Sequence, residues 1–199
     1  MSRGLWMVAA VVLVLGCAAA NASIVLAGQV YDDNAFVDEI IAIHGSWTNP
    51  AAVIGPNIMS YAQNNPPDAE AYLLVGFADN SIVNGAGPDF VLHEAGGTLP
   101  GEGEPAKITI NGVTNTYPTV YSGVGGTHRA YIDLGDFGVA PGGRVAAVQL
   151  WGLYSGLSGT EFMAIGALNN GEPIPAPGAM WLVGVGLCVL RGSRRLTKA

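Results

Sequence analysis

Pro141-Gly142-Gly143-Arg144-Val145-Ala146-Ala147-Val148-Gln149-Leu150-Trp151 is the stretch whose reading decides the fold. Two glycines after a proline are turn chemistry. Beyond them Val145, Ala147, Gln149 and Trp151 alternate with Ala146, Val148 and Leu150, and one face is plainly apolar. Period two is the signature of a half-buried strand, and Trp151 on such a strand is expected in the core. Outward from it, similar short runs recur: Ile24 to Tyr31, Ala71 to Ala78, Asp89 to His93, Lys107 to Ile110, Thr114 to Tyr121, Ala130 to Leu134, and Phe162 to Leu168; the opening run itself reaches Tyr154. Asn111-Gly112 between Ile110 and Val113 signals a two-residue hairpin. Only Phe36 to His44 and Asn57 to Ala62 have helical character, and both are short. Many short strands without a long repeat predict an all-β chain: an antiparallel β-sandwich, jelly-roll-like, over residues 23–170.

Charge narrows the partners. Between Ser23 and Pro175 only Lys107, Arg129 and Arg144 are basic, against fifteen acidic residues, a formal charge of about −12. Such a surface repels phosphate backbones, so no nucleic acid partner is expected. Cys17 and Cys188 both lie in the terminal segments, which leaves the central domain without thiol catalysis, disulfides or cysteine-based metal sites.

The ends read as addresses. Residues 1–22 have the layout of a signal peptide: Arg3, the apolar run Leu5 to Leu15, then Ala20-Asn21-Ala22, predicting cleavage before Ser23. A rival reading takes Leu13-Val14-Leu15-Gly16-Cys17 as a lipobox with Cys17 lipidated. Residues 171–199 form a tripartite tail: the stiff segment Pro173-Ile174-Pro175-Ala176-Pro177-Gly178, the apolar stretch Ala179 to Leu190, and the cluster Arg191, Arg194, Arg195 and Lys198. As a short helix that stretch makes a marginal membrane span, with the arginines held on the cytoplasmic side.

Pro175-Ala176-Pro177-Gly178, an apolar helix and a closing arginine cluster resemble the PEP-CTERM sorting signal. The resemblance implies an exosortase-type processing enzyme as partner, membrane anchorage through the C-terminal helix before processing, and final delivery to the cell surface, outer envelope or extracellular matrix. The family's usual Pro-Glu-Pro reads Pro175-Ala176-Pro177 here, similar to a Pro-Ala-Pro-Gly-Ala variant. The domain carries a resemblance as well. The segments Gly45 to Gly55, Leu74 to Gly85 with Gly87 to Glu94 following, and Glu161 to Leu168 are similar to segments of PEP-CTERM surface proteins, which implies a jelly-roll fold and no settled activity.

The strongest chemical constellation is Asp79, Asn80, Asp89 and Glu94 around the tight loop Ile82 to Pro88, joined by Glu161 if the closing strand lies alongside. All are oxygen donors, and the cofactor such a set would take is a hard cation, Ca2+. The bland alternative has Asp79 and Asn80 making turn hydrogen bonds and Asp89 preceding a strand. A second acidic group, Asp32-Asp33-Asn34 with Asp38 and Glu39, is another candidate for a cation, but reads more simply as a solvated turn capping the short helix expected at Phe36.

Catalytic patterns fail in turn. His44, His93 and His128 lack metalloprotease spacing, and Ser158 lacks the nucleophile elbow. Gly101-x-Gly103-x-x-Ala106 sits in an acidic, proline-flanked loop with no helix behind it. The chain is therefore expected to be no enzyme but an exported structural or adhesive β-sandwich. The runner-up is a calcium-assisted module binding extracellular polysaccharide through Trp47, Trp151, Tyr117, Tyr121 and Tyr154; a glycoside hydrolase using a carboxylate pair comes third.

Overall fold

A computed structural model describes residues 22–99, 102–152, 154–155 and 158–171. The segment 1–21 and residues 172–199 lie outside them, and with them the signal peptide, Cys17, the motif Pro175-Ala176-Pro177-Gly178 and Arg191, Arg194 and Arg195. Among the described residues no helix is long and apolar enough to cross a membrane.

Over the described residues the chain is all-β and its pairings are antiparallel. In order come β1 (Ser23–Leu26), β2 (Gln29–Asp32), β3 (Glu39–His44), β4 (Trp47–Thr48), β5 (Ala62–Asn64), β6 (Tyr72–Gly76), β7 (Ser81–Val83), β8 (Phe90–Ala95) and β9 (Ala106–Ile110). There follow β10 (Val113–Tyr117), β11 (Val120–Tyr121), β12 (Thr127–Ile132), β13 (Arg144–Val145), β14 (Ala147–Trp151), β15 (Tyr154–Ser155), β16 (Ser158–Gly159), β17 (Glu161–Ala167) and β18 (Asn170–Gly171). Short 3-10 turns occupy Pro50–Val53 and Leu134–Phe137.

Two sheets dominate: a five-stranded one in the order β10-β9-β14-β6-β3 and a six-stranded one in the order β11-β12-β8-β17-β5-β4. Taken along the chain, β3, β5, β6, β8, β9, β12, β14 and β17 fall alternately in the first sheet and the second. One apolar cluster draws on both, with Leu73, Val75, Ile108, Val148 and Leu150 from the five-stranded sheet and Phe90, Leu92, Ile132, Phe162 and Ile165 from the other. This shared core is consistent with a β-sandwich, and each such side chain contributes about 1.5–3 kcal/mol by leaving water.

Turn chemistry acts where glycine permits it. Asn111 (φ 52°) and Gly112 (φ 80°) both take the left-handed conformation, and Val113 to Tyr117 fold back in register on Ala106 to Ile110. The Pro141-Gly142-Gly143 turn, with Gly142 at φ 76°, delivers the chain into β13.

Four expectations are corrected. Phe36 to His44 is not helical: Ile40, Ile41 and Ile43 are β-branched, and Glu39–His44 becomes the edge strand β3 with a bulge at Ile41. Asn57 to Ala62 is irregular chain leading into β5. Ile24 to Tyr31 is not one strand but the hairpin β1–β2, turned at Ala27 (φ 47°) and Gly28 (φ 84°). Trp151 is not in the core. Val148 and Leu150 are fully buried, so strand alternation turns Ala147, Gln149 and Trp151 to the outer face of the five-stranded sheet, half-buried.

Strand β8 is buried along all six residues because both of its faces are covered. Phe90, Leu92 and Glu94 share the side of the common core, and Val91, His93 and Ala95 look the other way. There the rings of Tyr31 and Phe36 cover the sheet, while Ala35 to Val37 pair alongside β17. Tyr31 Oη meets His93 Nε2 at 2.7 Å, Val37 N donates to Ile165 O, and Ala167 N donates to Ala35 O. Gly166 makes this possible: a Cβ there would stand 2.5 Å from Tyr31 Cε1.

Candidate functional site

The expected cation ligands are distributed over three environments. Asp89, at the entry to β8, is fully buried and spends its carboxylate inside the protein. Oδ1 accepts from Gly85 N (2.7 Å) and Asn169 Nδ2 (2.9 Å), and Oδ2 accepts from Leu134 N (2.8 Å). Its own backbone N–H donates to Ile132 O, and its carbonyl accepts from Leu168 N. One acid thereby ties the loop at Gly85, the 3-10 turn at Leu134 and the segment after β17 together.

Asp79 is exposed and stands beside Asp38. Asp38 accepts from the backbone N–H of Ala78 (2.8 Å to Oδ1) and of Asp79 (3.1 Å). Partial burial, then the Asp38 carboxyl, raise the Asp79 pKa, with Asp33 adding to the effect. Asn80 is buried and donates through Nδ2 to Asn34 O, and Asn170 Nδ2 reaches Asn34 Oδ1 at 2.9 Å. The acidic segment at Asp32-Asp33-Asn34 and the first half of the proposed ligand set are therefore neighbours, a juxtaposition that their separation of over forty residues in sequence conceals.

Glu94 and Glu161 form the third environment. Glu94 is 1% exposed, and neither carboxyl oxygen has a partner in hydrogen-bonding geometry among the described residues. Burial foremost, then the nearby Glu104 carboxyl, push Glu94 up to about 10, so it is protonated at neutral pH. Across the sheet it is level with His128 on β12 and Phe162 on β17. Glu161 accepts from Gln63 Nε2 at 2.7 Å, and partial burial with the Glu104 charge raises its pKa too. Glu104 escaped the reading of the sequence because it lies in a proline-flanked loop that looks solvated.

These acids are not gathered into one cation cage. Among the described residues no three His, Cys, Asp or Glu side chains converge closely enough to hold a metal ion. Asp89 in particular already has three N–H donors where a cation would need free oxygens.

The aromatic residues are rearranged as well. Trp47 stacks on Phe162 (centroids 5.9 Å apart) and donates Nε1 to His44 O. Tyr117 leans on Phe137 and donates to Asp136 Oδ2 at 2.9 Å. Tyr121 sits 5.5 Å from the buried His128 ring. Tyr154 side-chain surroundings lie outside the described residues.

On the outer face of the five-stranded sheet, by contrast, the register aligns His44, Tyr72, Trp151 and Lys107 on four adjacent strands. His44 and Tyr72 stack at 5.2 Å, Tyr72 meets Trp151 edge-on at 5.5 Å, and Lys107 Nζ lies 4.5 Å from the Trp151 ring centre. Trp151 Nε1 donates to Thr109 Oγ1 (2.7 Å), itself 2.6 Å from Thr114 Oγ1. Tyr72 and Lys107 gave no sign of this in the sequence, since Tyr72 sits in the apolar run Ala71 to Ala78 with no polar residue to mark the outward side.

Comparison with family models, with curated proteins and with solved structures found no match for this chain.

Proposed function

We propose that the chain is an exported protein of the cell surface, outer envelope or extracellular matrix, whose β-sandwich has a structural or adhesive role rather than a catalytic one. The observation that carries this reading is the tripartite C-terminal segment: Pro175-Ala176-Pro177-Gly178, the apolar stretch Ala179 to Leu190, and Arg191, Arg194 and Arg195. On this reading a PEP-CTERM-type tail holds the chain transiently in the membrane until an exosortase-type enzyme processes it. The amino-terminal segment, with Arg3 ahead of Leu5 to Leu15, supplies the export signal.

The domain is compatible with that destination. It has no cysteine to depend on a redox compartment, and a high negative charge that favours solubility. The alternation of β3, β5, β6, β8, β9, β12, β14 and β17 between the two sheets supports the jelly-roll reading of the fold.

The test compares the full chain in a bacterium that encodes an exosortase and in the same strain lacking it. Mass spectrometry of the C-terminus and fractionation of envelope, matrix and membrane read the result. Expected is a shortened chain outside the membrane in the first strain and an intact, membrane-held chain in the second. Replacing Arg191, Arg194 and Arg195 together by Ala should also block release. The same mass and the same fraction in both strains would overturn the assignment.

A further inference from the structure

The outer face of the five-stranded sheet presents a row of rings and polar groups that the interior does not require. We propose that His44, Tyr72, Trp151 and Lys107 form a binding face for a neutral polysaccharide.

Register is the first reason. His44 pairs with Tyr72, Tyr72 with Trp151, Trp151 with Lys107, and Lys107 with Thr116, so one continuous line crosses all five strands. Strands lie about 4.8 Å apart, which makes the line from His44 to Lys107 roughly 14 Å long, the scale of a short oligosaccharide. Placement is the second. Leu73 and Leu150, the neighbours of Tyr72 and Trp151 in sequence, are fully buried, so the two rings are on the opposite side, half-buried, with His44 exposed at the edge. Hydrophobic collapse would be served equally well by aliphatic residues in those positions. Rings with one polar handle suit a surface that is apolar in one direction and wet in the other.

Chemistry selects the ligand. A pyranose offers an axial C–H face that packs on an aromatic ring and an equatorial rim of hydroxyls. Lys107, whose Nζ rests over the Trp151 ring, would swing aside to free that face and donate to such hydroxyls, and Gln149, on the next outward position of β14 and level with Thr109, supplies both a donor and an acceptor. The net charge of about −12 between Ser23 and Pro175 disfavours an acidic polymer, since a single lysine in the row does not offset it. The ligand class is therefore an uncharged glycan. This inference goes beyond the surface role proposed above. That role is tested by location and this one by binding, so either can fail alone.

Affinity electrophoresis of the full chain, kept in mild non-ionic detergent, through gels containing soluble β-glucan, galactomannan or alginate tests it. Retardation by at least one of the two neutral polymers is expected, with affinity falling about tenfold or more in Trp151→Ala and less in Lys107→Ala. Tyr72→Thr keeps strand propensity and repeats the test should Trp151→Ala lower the melting temperature. Migration unaffected by both neutral polymers would overturn the proposal. So would retardation by alginate alone, or binding that survives Trp151→Ala and Tyr72→Thr in one folded chain.

Discussion

Two buried acids at opposite ends of one strand solve the same problem in opposite ways. Asp89 enters β8 and Glu94 nearly ends it; the first is fully buried and the second 1% exposed. Asp89 is met by three N–H donors from three parts of the chain. Glu94 has no such set of donors among the described residues; burial, and a neighbouring carboxyl from Glu104 within hydrogen-bonding reach, favour its protonated form instead. Burial alone is thus no guide to what an acid does. A carboxylate surrounded by N–H groups becomes a structural tie, whereas a carboxyl buried beside a second carboxyl keeps its proton.

The largest expected effect comes from breaking the tie. Asp89→Ala strands two backbone N–H groups and one amide in the interior, and should lower unfolding stability by about 3 kcal/mol or more, measured by urea denaturation. A loss below about 1 kcal/mol would mean that water reaches these donors and that Asp89 and Glu94 differ less than their geometry implies.

Glu94 should show itself in pH dependence. Its folded pKa, about 10, lies above the ordinary carboxyl value, so its contribution is complete below about pH 4.5 and is lost as pH rises toward 10. His93, the preceding residue, acts in the other direction. Burial foremost, with Arg129 adding to it, holds the imidazole down at about 4, so stability is lost as pH falls from about 6.5 through that value. Above pH 6.5 only the Glu94 slope of this pair remains, at most about 1.4 kcal/mol per pH unit. Melting temperature followed from pH 6.5 to 9.5 should fall in the wild type, and the fall should be much shallower in Glu94→Gln. Parallel curves would show Glu94 to be ionised and partnered.

A smaller effect belongs to the other side of the strand. Tyr31→Phe removes the 2.7 Å contact to His93 Nε2 and should cost about 1 kcal/mol, with the His93 imidazole shift, read by NMR titration, changing in the same variant. Smallest of all is Asp79→Ala. The side chain is exposed beside Asp38, and removing one of two crowded negative charges should leave stability within about 0.5 kcal/mol of wild type. A large loss there would place Asp79 with Asp89 rather than with the surface.

Local chemistry was legible along the chain wherever it was self-contained. Asn111-Gly112 specifies a hairpin because both residues tolerate positive φ, and the Pro141-Gly142-Gly143 turn and the alternation after it mark a strand without reference to anything distant. From such signals the all-β, antiparallel class follows. The faces did not follow, because period two separates two sets of side chains without saying which set meets a second sheet. In Val145 to Trp151 the size of its ring points Trp151 to the core, whereas Val148 and Leu150 occupy it and Trp151 stands outside with Tyr72 and Lys107. Nor did the fate of the acids follow. Asp89 depends on Leu134 and Asn169, Asp79 on Asp38, and Glu94 on Glu104, partners supplied by strands that pass from one sheet to the other between them. Strand content and turns are properties of a few consecutive residues and their φ preferences. Which carboxyl meets a donor, and which ring meets solvent, is decided only when distant segments pack, since both depend on neighbours that the local sequence does not contain.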